Sequence, residues 1–234
     1  MISVCMATFN GEKYVKEQID SILIQLSIED ELVISDDGST DRTLKIIESI
    51  NDSRIKVYKN TSKQGYSHNF ENAIKKASGD YIFLSDQDDV WLSNKVGSML
   101  PYLKEDNLVM SDAYITDENL IIKDRMKTWR KYKKGYFQNL YKNIYAGCTC
   151  AFTKNIKNKC LPFPHSEYVK HDNWIGLISE LQFNVIYIDE ALIYHRRHSS
   201  NHSSMTGKST RSIFYKIMSR LILLVETLKR VKKI

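Results

Sequence analysis

Between residues 2 and 110, short apolar runs alternate with segments whose apolar residues recur at helical spacing. That rhythm constrains the fold more than any single motif. The runs Ile2–Ala7, Leu32–Ser35, Ile55–Tyr58, Tyr81–Ser85 and Leu108–Met110 are expected to be strands. Val15, Ile19, Ile22, Leu23 and Leu26 mark a first helix between them, and Leu44, Ile47 and Ile50 a second. Phe70, Ala73, Ile74 and Ala77 mark a third, with Gly79 behind it as a stop signal, and Val96, Met99, Leu100 and Leu103 a fourth. The alternation gives an α/β fold with a mostly parallel sheet and helices on both faces. Ligands in such sheets bind beyond the carboxyl ends of the strands.

Three polar segments fall at those ends: Thr8-Phe9-Asn10, the run from Asp36 to Asp41, and Asp86-Gln87-Asp88-Asp89. Clustered carboxylates repel one another and resist burial, so the Asp86 cluster makes sense where a cation or a hydroxyl-rich ligand sits. Hard divalent metals bridge carboxylates to substrate phosphates in this way. A carboxylate at the Asp36–Asp37 strand end can accept hydrogen bonds from a base N–H or a ribose hydroxyl. Purely structural readings exist for both. Asp37-Gly38 makes a turn, with Ser39 or Thr40 capping the next helix. Asp89 or Ser93 can cap a helix too, but that leaves Trp91 and the strand-end position unexplained.

The remainder is less regular. Residues 113–147 are rich in Tyr, Lys and Asn and are expected to cover the sheet with loops and short strands. A helix is expected after Asp172, then a strand over Asn184–Ile188, a polar loop over His195–Ser204 and a terminal helix over Ile213–Val231. That last helix carries a broad apolar face (Ile213, Phe214, Ile217, Met218, Leu221, Leu224, Val225, Leu228) beside Lys216, Arg220, Lys229, Arg230, Lys232 and Lys233. It suits either an anionic membrane surface or packing on the core or on a second protomer as a homodimer. The longest apolar run there, Leu221 to Val225, is far too short to span a membrane.

With 234 residues and a net charge of +6, the chain suits one domain, or one domain with an appendage, and its basic clusters suit phosphates, lipid or nucleic acid. Cys5, Cys148, Cys150 and Cys160 match no zinc or disulfide spacing, which suggests reduced thiols in a cytosolic protein. The N-terminus enters a strand at once, without a signal-peptide pattern.

Taken in order, Ala7-Thr8-Phe9-Asn10-Gly11, Asp36–Asp41, Gly79-Asp80-Tyr81, Asp86-Gln87-Asp88-Asp89-Val90-Trp91, His171-Asp172-Asn173-Trp174 and Arg196-Arg197-His198-Ser199-Ser200-Asn201 resemble a family 2 glycosyltransferase of GT-A fold. The last two segments resemble its bacterial rhamnosyltransferase-like branch. The resemblance implies a GT-A domain over 1–205, split into a nucleotide-sugar half (1–112) and an acceptor half (113–205), with 206–234 as a basic amphipathic helix. It implies an inverting transfer from dTDP-rhamnose or a UDP-hexose to a hydroxyl of a lipid-linked glycan. The setting would be bacterial capsule, O-antigen or cell-wall synthesis, in the cytoplasm or on the inner membrane face. Thr8, Phe9, Asp37, Asn69, Asp86 and Arg196 would bind the nucleotide sugar, Asp37 reading the base and Arg196 offsetting diphosphate charge. Asp88, Asp89 and His198 would hold Mn2+ or Mg2+, and Asp172 would be the general base. As a bare sequence position, Asp172 is also a plausible helix cap. His195 stands where Tyr is common and Ser199 where Gly is common; His171 and His195 have structural readings.

Two other classes fit less well. A sugar-nucleotide nucleotidyltransferase wants a basic Gly-rich loop near the N-terminus, and Ala7–Tyr14 holds only Gly11. A non-catalytic nucleic-acid binder would leave the acidic cluster unexplained and repelling phosphates, so no nucleic-acid partner is expected.

Overall fold

The computed structural model describes residues 1–104, 106–198, 201 and 212–232. The first half runs β1 (Ile2–Thr8), α1 (Val15–Leu23), β2 (Glu31–Asp36), α2 (Thr43–Ser49), β3 (Ile55–Lys59), α3 (Tyr66–Lys76), β4 (Tyr81–Asp86), β5 (Val90–Trp91) and α4 (Lys95–Leu103). The second runs β6 (Asn107–Thr116), β7 (Ile122–Arg125), α5 (Met126–Trp129), α6 (Tyr136–Tyr141), β8 (Cys150–Thr153), α7 (Lys154–Cys160), α8 (His171–Gln182), β9 (Asn184–Arg196) and α9 (Ile213–Lys232).

All the strands join one sheet in the order β3-β2-β1-β4-β8-β6-β9-β5, with β7 on β6. The run β3-β2-β1-β4 is parallel, β8 is antiparallel to β4 and β6, and β6 is again parallel to β9. Both faces are covered, so the first strands are apolar almost throughout. Val4 and Met6 pack with Val15, Ile19, Ile22 and Ile47 on one face, while Cys5 between them packs with Phe70, Ala73 and Ile74 on the other. All four cysteines are free and buried.

Two expectations change. The His195–Ser204 loop begins later than expected, because β9 runs on from Ile188 to Arg196 and places His195 and Arg196 on a strand. Ser199, Ser200 and residues 202–204 of that segment lie outside the described residues. Strand β6 (Asn107–Thr116) carries the chain from the first half to the second within the one sheet. Gly79 acts by close approach, since a Cβ there would lie 2.7 Å from Ser3 Oγ and 2.8 Å from the Met1 carbonyl oxygen.

The terminal helix α9 packs on the core. Leu223 and Thr227 are buried, and Thr227 Oγ1 pairs with Tyr136 Oη at 2.5 Å. Arg230 donates to the carbonyls of Lys159 (3.0 Å) and Leu161 (2.7 Å). Its other face leaves Ile213, Phe214, Ile217, Leu221, Val225 and Leu228 exposed. Among the described residues no helix is long and apolar enough to cross a membrane.

Candidate active site

Strand register assembles the site. Thr8 lies beside Asp36, and Ala7 beside Asp86, so the polar ends of β1, β2 and β4 form one edge. Thr8 Oγ1 donates to Asp36 Oδ2 at 2.9 Å. Asp36 is buried and accepts from Gly38 N (3.0 Å), Ser39 N (2.8 Å) and Ser39 Oγ (2.6 Å), so it builds the turn. Gly38 in that turn has φ of +88°, which favours glycine. The neighbouring Asp37 is only half-buried. It accepts from Asn60 Nδ2 (2.7 Å) and Gly65 N (2.8 Å), which fix its carboxylate while leaving lone pairs for a ligand. Asn69 donates to the Thr8 carbonyl at 3.0 Å, and its buried Oδ1 has no hydrogen-bond partner among the described residues. Phe9 is 45% exposed at this edge. Gln87 clasps its backbone with two 3.0 Å bonds, Phe9 N to Oε1 and Nε2 to Phe9 O.

The acidic cluster divides into two arrangements. Asp88 Oδ2 accepts from His198 Nε2 and Asn201 Nδ2, each at 2.9 Å. Asp89 is fully buried, and its Oδ1 accepts from His195 Nδ1 (2.9 Å) and Arg196 N (3.1 Å), while Oδ2 has no hydrogen-bond partner. Asp86, half-buried between them, has its carboxyl pushed well up, first by desolvation and then by the charges of Asp89 and Asp88. Burial alone would lower His195; its contact with Asp89 outweighs this and raises it. Asp86, Asp89, Cys148 and His195 each offer a ligand atom, all within 4.8 Å of one another.

Arg196 departs from expectation. Rather than facing open space for a diphosphate, its guanidinium is buried and already committed. It donates to the carbonyls of Asp88 (2.9 Å) and Glu118 (2.7 Å) and to Glu17 Oε2 (2.5 Å), and stacks 4.5 Å over Tyr14. It holds the backbone of the acidic loop. Tyr14 also meets the His198 ring, with centroids 4.8 Å apart.

Asp172 lies in the first turn of α8, half-buried, and accepts from its neighbour Asn173 N at 2.7 Å. Its charge contributes to the upward push on Asp86, less than burial, Asp89 or Asp88 do. His171 beside it is a packing residue. It stacks on Phe70 at 4.2 Å, and desolvation lowers it to about 4, so it is neutral.

Sequence reasoning missed the groups behind the carboxylates. Lys95 is fully buried at the start of α4. It donates to the Cys148 carbonyl at 2.6 Å and lies 4.4 Å over the Trp91 ring. Desolvation lowers it to about 8, against the raising effect of Cys148 and Asp89. Gln18, also buried, donates to Ser85 Oγ (2.6 Å) and the Asp86 carbonyl (3.1 Å). A buried Lys and Gln in otherwise apolar faces were the available signal.

A family model described as Glycosyl transferase family 2 matches residues 3–158. The UDP-Glc:alpha-D-GlcNAc-diphosphoundecaprenol beta-1,3-glucosyltransferase WfgD of Escherichia coli is 27% identical over 190 residues, covering 80% of this chain and 73% of its own. The dTDP-rhamnosyl transferase RfbG of Shigella flexneri is 37% identical over 123 residues, covering 50% of this chain and 41% of its own. Among solved structures, S. aureus TarS 1-349 in complex with UDP-GlcNAc superposes with a TM-score of 0.72 at 20% identity. That match covers 96% of this chain and 66% of TarS 1-349, and it is a likeness of fold.

Proposed function

The chain belongs to glycosyl transferase family 2 and has the GT-A fold, and from that premise we propose an inverting, divalent-metal-dependent transfer of a hexose to a lipid-linked glycan. The observation that carries the reading is the convergence at one sheet edge of Asp37, Asp86 and Asp88, with the charge of Asp172 a minor part of the push on Asp86.

In this reading Asp37 accepts from the base, and Thr8, Asn69 and the exposed Phe9 shape the nucleotide pocket. Asp86 accepts from the ribose. The residues fit a hard divalent ion: Asp88 and His198 offer oxygen and nitrogen donors 2.9 Å apart, and the buried Asp89 Oδ2 has no hydrogen-bond partner among the described residues. Asp88, His198 and Asp89 would hold it, and when bound it neutralises charge growing on the leaving diphosphate. Arg196 keeps the Asp88 backbone in place. Asp172 takes the proton of the acceptor hydroxyl as attack develops. A poor nucleophile then meets an oxocarbenium-like anomeric carbon in one displacement, which inverts configuration.

The donor is read as a UDP-hexose, because the WfgD likeness covers more of the chain than the RfbG likeness. Uracil and thymine offer Asp37 the same edge, so dTDP-rhamnose is the competing outcome. The exposed stripe of α9, flanked by Lys216 and Lys229, supports placing the acceptor end at an anionic membrane surface on the cytoplasmic side.

A thermal-shift panel of UDP, dTDP, GDP, CDP and ADP, each with and without manganese, tests the reading. A ligand that binds only the folded state adds about 2.7 kcal/mol at a hundredfold excess over its dissociation constant. A manganese-dependent shift for UDP is expected, a shift for dTDP alone would move the donor to thymidine, and a flat panel at millimolar ligand would sink the proposal.

A further inference from the structure

We propose that Asp86, Asp89, Cys148 and His195 form a binding site for a zinc-class divalent ion, which takes neither Asp88 nor His198 and competes with the proposed catalytic ion for Asp89 alone. Their ligand atoms already lie within 4.8 Å of one another, drawn from the end of β4, the loop after it, the turn before β8 and the end of β9. A tetrahedral ion with bonds of about 2.0–2.3 Å sets its ligands roughly 3.3–3.8 Å apart. Two of the pairs are near that spacing or inside it: Cys148 Sγ to His195 Nδ1 is 3.9 Å and His195 Nδ1 to Asp89 Oδ1 is 2.9 Å. Closing the rest takes about an ångström of side-chain movement.

One feature points to a cation here rather than to a packed core. Asp89 is fully buried, yet among the described residues its Oδ2 has no hydrogen-bond partner. An orphaned buried carboxylate oxygen is costly, and a metal bond satisfies it. Without an ion, burial and the charges of Asp89 and Asp86 hold the Cys148 thiol well above its ordinary range, so the thiolate forms only with the ion. In that bound state the ion offsets the charge of the two aspartates and the thiolate, with the Lys95 ammonium beside them.

The donor set selects the ion. One thiolate and one imidazole among carboxylates suit Zn2+, Co2+ or Cd2+ and disfavour Mg2+. The half-buried Asp86 provides the entry side. Binding releases the Cys148 thiol proton and the proton shared between His195 Nδ1 and Asp89. Because Asp86 would also serve the donor ribose and Asp89 the catalytic ion, an ion held here withdraws both from the donor site. That consequence rests on the proposed donor pocket, whereas the ion site itself does not.

Co2+ titration of the full chain, followed by optical absorption, is the direct test. The wild type is expected to show tetrahedral Co2+ bands and a thiolate-to-metal charge-transfer band, displaced by Zn2+. Cys148→Ser is expected to lose the charge-transfer band and at least the roughly 10–100-fold in affinity that even outer-sphere changes cost. His195→Gln should weaken binding similarly while keeping that band, which covers the case where Cys148→Ser does not fold. Cys160→Ser, at a distant buried thiol, should titrate like the wild type. Absence of the charge-transfer band in the wild type, or its persistence in Cys148→Ser, overturns the site. With transfer measured under excess Mn2+, Zn2+ should inhibit the wild type at least tenfold more strongly than Cys148→Ser. A cobalt site that forms without zinc inhibition would uphold the site and overturn the roles of Asp86 and Asp89 in the donor site.

Discussion

Replacing Lys95 by Met isolates what the buried ammonium does. In the folded state desolvation lowers Lys95 from 10.5 to about 8, and the residue is fully buried. That depression corresponds to about 3 kcal/mol of penalty on the charged form. The sign follows from proton counting. Between pH 8 and 10.5 the unfolded chain binds more protons at this residue than the folded one, so stability rises with pH. Below about pH 8 the full penalty is present, and the dependence ends near 10.5. Between about pH 7.5 and 9.5 the wild type should gain roughly 2 kcal/mol from this residue alone. Met has nearly the same shape and no charge, so Lys95→Met deletes that term. It also removes the donor to the Cys148 carbonyl, at about 1–3 kcal/mol independent of pH. The two effects nearly cancel at neutral pH, and the variant falls behind as pH rises. Urea melts of both proteins at several pH values, at constant m, measure the difference. Curves that stay parallel from pH 7.5 to 9.5 would refute the reasoning, as would a variant destabilised by a constant 3–5 kcal/mol, which is what a broken buried ion pair costs.

Two further outcomes follow from particular contacts. Burial would raise Glu31, but bonds from Lys56, Ser3 and Ser78 outweigh it and lower it to about 2. Its stabilisation is therefore complete above about pH 4.5 and lost as pH falls toward 2, and Glu31→Gln should cost about 1–3 kcal/mol at pH 7 while flattening the acid limb of a melting series. Asp88→Ala should abolish the manganese-dependent part of nucleotide stabilisation, as chelation should in the wild type; an unchanged manganese response would place the metal on other residues.

Much of the fold is legible because of how it is buried. Strands β1, β2 and β4 are covered on both faces, so their apolar runs are unbroken in sequence. The long β9 is harder to see. Asp189 and Glu190 interrupt it, and its pairing with β6 shifts register at Asp112, where Ala191 takes over from Ile188. The two-residue β5 is too short to leave a pattern. The carboxylates of the site are legible because charged residues at apolar strand ends need a reason. Their supports are not, because they arrive from far along the chain: Lys95 reaches Cys148 across 53 positions and Arg196 reaches Glu17 across 179. Arg196 shows the consequence. Its residue type suggests a phosphate ligand, and only its contacts reveal a clamp on the Asp88 backbone.

The central claim is that Asp172 deprotonates an acceptor hydroxyl at a metal-assisted donor site. The most direct test is single-turnover transfer from UDP-glucose to a GlcNAc-diphosphate-polyprenol by Asp172→Asn, with UDP affinity measured on the same sample. The account predicts a loss of about 10²–10⁴ in rate, the usual worth of a general base, with UDP binding unchanged. Turnover at the wild-type rate would remove Asp172 from the chemistry and contradict the mechanism.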